Sequence, residues 1–168
     1  QGGVWQKSVI LVTEHHERGS LGLMLNKRSN LSIKDFSTQC NVELDLPGHV
    51  YIGGPVNQKS FCMLHSNDWI TGNTLRVTDK LSISSTGDMI HRLASGDSPE
   101  YYRIFLGMCG WAVNQLENEI AGNPPWTKEA SWCLTKSTMD LIFGNDQQEQ
   151  WCNALDKSGL EFAQNMLL

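Results

Sequence analysis

Cysteine and histidine are the side chains here best suited to covalent or acid–base chemistry, so their placement decides what chemistry is open to the chain. Cys109 stands in Leu106-Gly107-Met108-Cys109-Gly110-Trp111, between an apolar stretch and Asn114-Gln115-Leu116-Glu117-Asn118-Glu119-Ile120, which has the spacing of an amphipathic helix. A thiol on a strained strand-to-helix turn is the geometry of a nucleophile elbow. The elbow needs glycine two residues after the nucleophile, and Trp111 fills that place. The glycines are therefore expected to let backbone and Trp111 pack closely.

His15-His16 are adjacent, so their rings cannot share one face as metal ligands at i,i+4 would, and they read as solvated turn residues. His65 ends an apolar run and reads as a hydrogen-bonded structural histidine. Glu117 and Glu119 are two apart, on different faces of a helix, and are no catalytic carboxylate pair. Cys40, Cys62, Cys109, Cys133 and Cys152 are an odd number, widely separated, with no C-x-x-C or Cys/His pair at zinc spacing. Cys62, Cys109 and Cys133 lie in apolar strand-like runs, where a thiol acts as a small hydrophobe. No catalytic residue, metal site or cofactor is assigned.

The elements that must position these residues are legible in the periodicity. Residues 9–12 are apolar and Leu21, Leu23 and Leu25 alternate, giving a hairpin around the turn His15-His16-Glu17-Arg18-Gly19. Ser32 with Asp35 is a capping-box-like start, and Ile33, Phe36 and Cys40 share a helical stripe. Residues 50–52, 60–64, 75–77 and 81–83 read as short strands of a meander. Met89, Ile90, Leu93 and Ala94 give a helix between Ser85-Thr86 and Gly96, and residues 102–106 a central strand. Asn114 is the expected cap of the next helix, with Gly122 and Pro124-Pro125 as its stop. Ala130, Trp132 and Leu134 alternate as a strand. Asn145-Asp146 opens a helix carrying Trp151 and Leu155 and ending near Gly159, and Leu160, Ala163 and Leu167 point to a last one. The early strands are too close together for helical crossovers, so the expected class is α+β with a mixed, largely antiparallel sheet. With no linker, repeat or low-complexity stretch, residues 1–168 are expected to form a single domain.

Several blocks resemble the YqgE/AlgH family in the family's own order. They are Ser8-Val9-Ile10-Leu11-Val12-Thr13-Glu14-His15 with Gly19 and Leu21-Gly22-Leu23-Met24-Leu25-Asn26, then Tyr51-Ile52-Gly53-Gly54-Pro55-Val56, then Phe61-Cys62-Met63-Leu64-His65, the Cys109 block, and residues 151–155 with Gly159. Lys27-Arg28, Lys59-Ser60-Phe61 and Ala112-Val113-Asn114 depart from the pattern usual in relatives. The resemblance implies a bifurcated sheet curled into a pseudo-barrel with helices outside. It also brings the label of transcriptional regulator that family members often carry, and no settled reaction.

The label draws nothing from the charge pattern. The net charge is −5 and the basic residues are scattered, with only Lys27-Arg28 adjacent, whereas DNA affinity comes from clustered cations that neutralise phosphates. Direct DNA binding is disfavoured, and regulation through a protein partner is compatible. No apolar run approaches the ~20 residues of a membrane-spanning helix and no leader pattern opens the chain, so a soluble cytoplasmic protein is expected. A start at Gln1-Gly2-Gly3 is compatible with a removed targeting segment.

Glu14, His15, Gly53, Gly54, Pro55, His65, Gly110, Trp111 and Gln115 fall at strand ends or turns, where binding groups gather on a rigid sheet. They form the candidate binding crevice, with Trp111 as an apolar wall, Gln115 as an amide fork and His15 or His65 as a titratable group. The competing reading is that they only maintain tight turns. The expected function is non-catalytic, a regulatory protein that binds a protein or small-molecule partner. The alternative is a hydrolase-like enzyme using His15 or His65 with Cys62 or Cys109.

Overall fold

The computed structural model describes residues 3–85, 87–126 and 132–166. In chain order its elements are β1 (Ile10–His16), β2 (Gly19–Met24), β3 (Arg28–Ser32), α1 (Ile33–Gln39), β4 (His49–Ile52), β5 (Val56–Ser66), β6 (Thr74–Arg76), β7 (Leu81–Ser85), α2 (Asp88–Ala94), β8 (Tyr102–Trp111), α3 (Gln115–Ala121), a π-type turn at Asp140–Gly144, and α4 (Gln147–Met166). The class is α+β, with a mixed, largely antiparallel sheet. The chain divides into two compact units, residues 1–26 with 109–168, and residues 27–108.

In the first unit β1 and β2 form the expected hairpin, with His15 opposite Ser20 and His16 opposite Gly19. The strand runs further than the sequence suggests: His15 and His16 lie in β1 rather than in the turn. Cross-strand pairing to Ser20 and Gly19 outweighs the polarity of the pair. β2 continues antiparallel onto the end of β8, pairing Ser20 with Trp111 and Gly22 with Cys109. Gly107, Cys109 and Gly110 are thus inside a strand, not in a strand-to-helix turn. Gly22 has to be glycine, because a Cβ there would lie 2.9 Å from the Leu11 carbonyl oxygen and 3.3 Å from Cζ3 of Trp111.

Asn114 does not cap α3 with its side chain; it is left-handed at φ 59°. The side-chain oxygen of Gln115 instead accepts from the Ala112 N–H at 2.9 Å, closing the turn that leads into the helix. Gly122 closes the helix at φ 67°, as its C-cap position predicts. Residues 132–138 are not a strand, and Ala130 lies outside the described residues. Alternation at Trp132 and Leu134 marks a strand only where a sheet edge pairs with it. α4 runs through Gly159 as one helix rather than two, since an interior glycine costs only about 1 kcal/mol and does not end a helix by itself. Leu167 lies outside the described residues. The core holds Leu11, Leu23, Met24, Leu25, Cys109, Trp111, Leu116, Leu141 and Ile142. The buried Gln150 amide donates to the carbonyls of Leu141 at 2.8 Å and Ile142 at 3.1 Å, supplying partners at the π-type turn.

In the second unit Ser32 caps α1 as expected, accepting from Asp35 N–H at 3.0 Å. α2 forms on the predicted stripe, but its N-cap is Gly87, without a side-chain bond; Thr86 lies outside the described residues. The four short strands are present and do not make a meander. β7 pairs with both β5 and β6, while β4 pairs antiparallel with β3 and parallel with β8. Adjacency in sequence accounts for the β6–β7 pair but not for β5 beside β7 or β4 beside β8. β8 is central as expected, flanked along residues 102–108 by β5 and β4. Its partners change along its length, which is the bifurcation the family fold implies. Gly107 sits at φ 68°, where a Cβ would come within 2.9 Å of the Val56 carbonyl oxygen and closer still to that of Gly54. The core packs Ile33 and Phe36 of α1 and Met89, Ile90 and Leu93 of α2 with Met63, Trp69 and Ile104.

Candidate functional site

Five of the nine candidate residues come together in the first unit. The pairing sets His15, Ser20 and Trp111 on one rung of three strands and Glu14, Leu21 and Gly110 on the next, with Gln115 opening the helix just beyond. His15 Nδ1 is 2.7 Å from Ser20 Oγ, and its Nε2 lies 3.5 Å from Glu117 Oε1. His16 Nε2 lies 3.7 Å from Glu14 Oε2. Trp111 is buried, and its indole N–H donates to Glu119 at 3.2 Å. Glu119 also accepts from the Gln115 amide at 2.8 Å, so both ends of the Gln115 fork are engaged within the turn and helix that carry it. Glu117 and Glu119 serve different partners, as their spacing requires.

This cluster resembles a Ser–His–Glu relay in composition only. Ser20 is buried at 4% exposure, so its hydroxyl has no approach for a substrate carbonyl. Both His15 and Glu117 are half-exposed, where an ion pair contributes little. Cys109 is fully buried and its thiol is pushed up to about 12 by desolvation, against a smaller opposing effect of the Met24 backbone. It cannot supply a thiolate to His15.

Gly53, Gly54, Pro55 and His65 belong to the second unit, at opposite ends of the long strand β5. Val56 pairs with Met108 and His65 with Tyr102, six residues apart on β8, so at ~3.3 Å per residue the two ends are roughly 20 Å apart. Gly53 is fixed by its N–H bond to the Leu106 carbonyl at 2.8 Å. His65 is fully buried, with Nδ1 2.8 Å from the Ser66 carbonyl and Nε2 2.9 Å from Ser84 Oγ. The carbonyl can only accept, so Nδ1 carries the proton and Nε2 accepts from the serine hydroxyl. Burial lowers the His65 pKa, outweighing the carbonyl bond and the charge of Asp68, and its ring packs at right angles to that of Trp69 with centroids 5.2 Å apart. The ring is neutral, with both nitrogens engaged. Cys62 is pushed up to about 12 by its own burial. Among the described residues no group of three or more His, Cys, Asp or Glu is placed to hold a metal.

An apolar cavity of about 500 Å³ lies in the first unit and contains none of the nine residues. Its walls are residues 8–12, Leu116 and Ile120 of α3, the irregular stretch 132–135 with Ser137, Leu141 and Ile142, and Trp151, Ala154 and Leu155 of α4. Of the described residues that line it, none is His, Asp, Glu, Lys or Arg. Two of the lining residues, Trp132 and Thr135, have a buried indole nitrogen and a buried hydroxyl oxygen, neither with a hydrogen-bond partner among the described residues. The same stretch and the second half of α4 border a more open groove of about 720 Å³, where Leu134 and Phe162 are two-thirds exposed. The signal for this region was present in the sequence as Trp132-x-Leu134 and Trp151/Leu155, which have the same pattern as ordinary core residues.

The geometry is that of an α+β protein with a mixed sheet and a pocket lined, among the described residues, by no charged side chain, with His65, Cys62 and Cys109 buried in the scaffold. The chain belongs to the AlgH-like family, DUF179, whose profile it matches over residues 1–163. It is 30% identical over 161 residues to a UPF0301 protein of Marinomonas sp., covering 94% of this chain and 82% of that one. It is 31% identical over 168 residues to a UPF0301 protein of Vibrio parahaemolyticus, covering 95% and 86%. The solution structure of the AlgH protein from Pseudomonas aeruginosa is similar at a TM-score of 0.72 and 26% identity, over 90% of this chain and 79% of that one.

Proposed function

We propose that this chain is a non-catalytic cytoplasmic regulatory protein that works by binding a small ligand or a protein partner, not by chemistry and not by direct contact with DNA. The observation that carries this is the cavity of the first unit, apolar and lined among the described residues by no acid, base or cation. Recognition pockets are mostly apolar with a few placed polar groups, and at about 500 Å³ this one falls in the range of roughly 300–1,000 Å³ that takes small molecules. The candidate nucleophiles support the same reading from the other side, since Cys62 and Cys109 are buried and protonated and His65 has no free nitrogen. Against DNA stand the net charge of −5 and the scattered cations.

The test is turnover. Purified protein incubated with fluorogenic ester, thioester and peptide substrates is expected to stay at the buffer rate, and to bind duplex DNA no tighter than about 10⁻⁶ M at physiological salt. Hydrolysis abolished by Cys109→Ser, Cys62→Ser or His15→Gln would establish an enzyme and overturn the proposal.

A further inference from the structure

We propose that the cavity of the first unit takes an uncharged amphiphile, with an aliphatic body and one carbonyl oxygen that accepts hydrogen bonds from Trp132 and Thr135. This rests on the binding reading above and names the ligand class. Buried polar atoms in folded proteins are paired in the great majority of cases, so two orphans on residues three apart in the stretch that lines one cavity call for an account. The indole nitrogen is a donor only, and the threonine hydroxyl can donate as well, so one oxygen with two lone pairs satisfies both.

The rest of the wall sets the body of the ligand. Val9, Leu11, Leu25, Leu116, Ile142 and Leu155 present aliphatic surface, and Trp151 an aromatic one. A carboxylate entering this site would give up its hydration with no cation among the described lining residues to compensate, whereas a ketone, ester or amide gives up far less. The two orphan atoms are closed off from water, so the ligand reaches them through a small movement of the wall. A single χ1 rotation exchanges the Thr135 hydroxyl with its methyl. Residues 132–137 belong to no helix or strand, and the Lys136 N–H bond to the Glu161 carboxylate at 3.2 Å ties the stretch to α4 just beyond Thr135. The bound carbonyl then holds the stretch in place by the bonds it lacks when empty.

The experiment uses the whole chain with octan-2-one as the neutral probe and octanoate as its charged counterpart. Binding is followed by titration in indole ¹⁵N–¹H spectra, with the Trp132 resonance assigned by its loss in Trp132→Phe. Saturable binding of octan-2-one is expected to displace the Trp132 N–H resonance. Thr135→Val is expected to weaken that binding roughly two- to tenfold, the range for loss of one hydrogen bond, without lowering the melting temperature of the empty protein, because no partner is lost. Equal affinity in Thr135→Val with an unmoved Trp132 resonance would mean apolar filling only. Tighter binding of octanoate would mean a charged ligand, and no saturable binding of either would mean no site of this class. Each of these three overturns the inference, and none touches the absence of turnover on which the proposed function is tested.

Discussion

Removing the Trp111 side chain is the most demanding test of how the first unit is held together. The indole is 7% exposed, lies over Gly22, has the Trp5 and Trp132 rings each 6.4 Å away, and bonds Glu119 at 3.2 Å. A buried tryptophan removes about 150–250 Å² from water, which at ~25 cal/mol per Å² is worth roughly 4–6 kcal/mol. Unfolded chains already bury part of that area, so the figure is an upper bound, and aromatic-to-alanine truncations in cores cost about 3–5 kcal/mol. For a chain of this length each kcal/mol moves the melting temperature about 2–4 °C. Trp111→Ala is therefore expected to lower it by roughly 6–20 °C, measured by far-UV circular dichroism. Trp111→Phe keeps most of the packing and leaves Glu119 bonded to Gln115, so its cost should be nearer 1 kcal/mol. A Trp111→Ala shift below about 2 °C would refute this packing role and make the indole a surface group.

Cys109, with its thiol pushed up to about 12, is ionised to roughly one part in 10⁵ at neutral pH, so iodoacetamide should spare it in the native protein and label it on unfolding in urea; rapid stoichiometric labelling of the folded chain, lost in Cys109→Ser, would overturn its assignment as a buried hydrophobe. His65 has its pKa lowered by burial, so the unfolded chain binds a proton that the folded one resists. Its contribution is fully present above about pH 6.5 and is lost as pH falls below that value toward the folded pKa. Urea midpoints of the parent should drop across this window, and His65→Gln should show a smaller drop. Identical pH profiles for the two would show that His65 does not carry the linkage.

Much of the fold could be read along the chain because it rests on local rules. The β1–β2 hairpin, α1 with its Ser32–Asp35 cap, the Gly122 stop and the strand through residues 102–106 each follow from periodicity or from a single backbone group that needs a partner. The class, α+β with a mixed sheet, followed from strand spacing in the same way. Of the candidate site, Glu14, His15, Gly110, Trp111 and Gln115 were found as neighbours because they sit on adjacent rungs of one ladder and on the helix that follows it.

The remainder depended on which segments met. Nothing local says that β7 pairs with β5, that β4 runs parallel to β8, or that Gly107 must be glycine because the carbonyls of Gly54 and Val56 come close to it. The cavity is the clearest case. Trp132, Leu134, Trp151 and Leu155 have the types and spacings of core residues, and the sequence contains no mark distinguishing a filled core from a hollow one. Volume left between elements is a property of their docking, set by side chains far apart in the chain, and so is the lack of partners for the buried polar atoms of Trp132 and Thr135. Local propensity by itself determined most of the helices and the strands that found partners, but not the extent of β1, the state of the stretch at Trp132 and Leu134, or the continuity of α4. Tertiary structure alone decided which donors remain unspent, because a hydrogen bond is made or missed only when both partners have been brought to the same place.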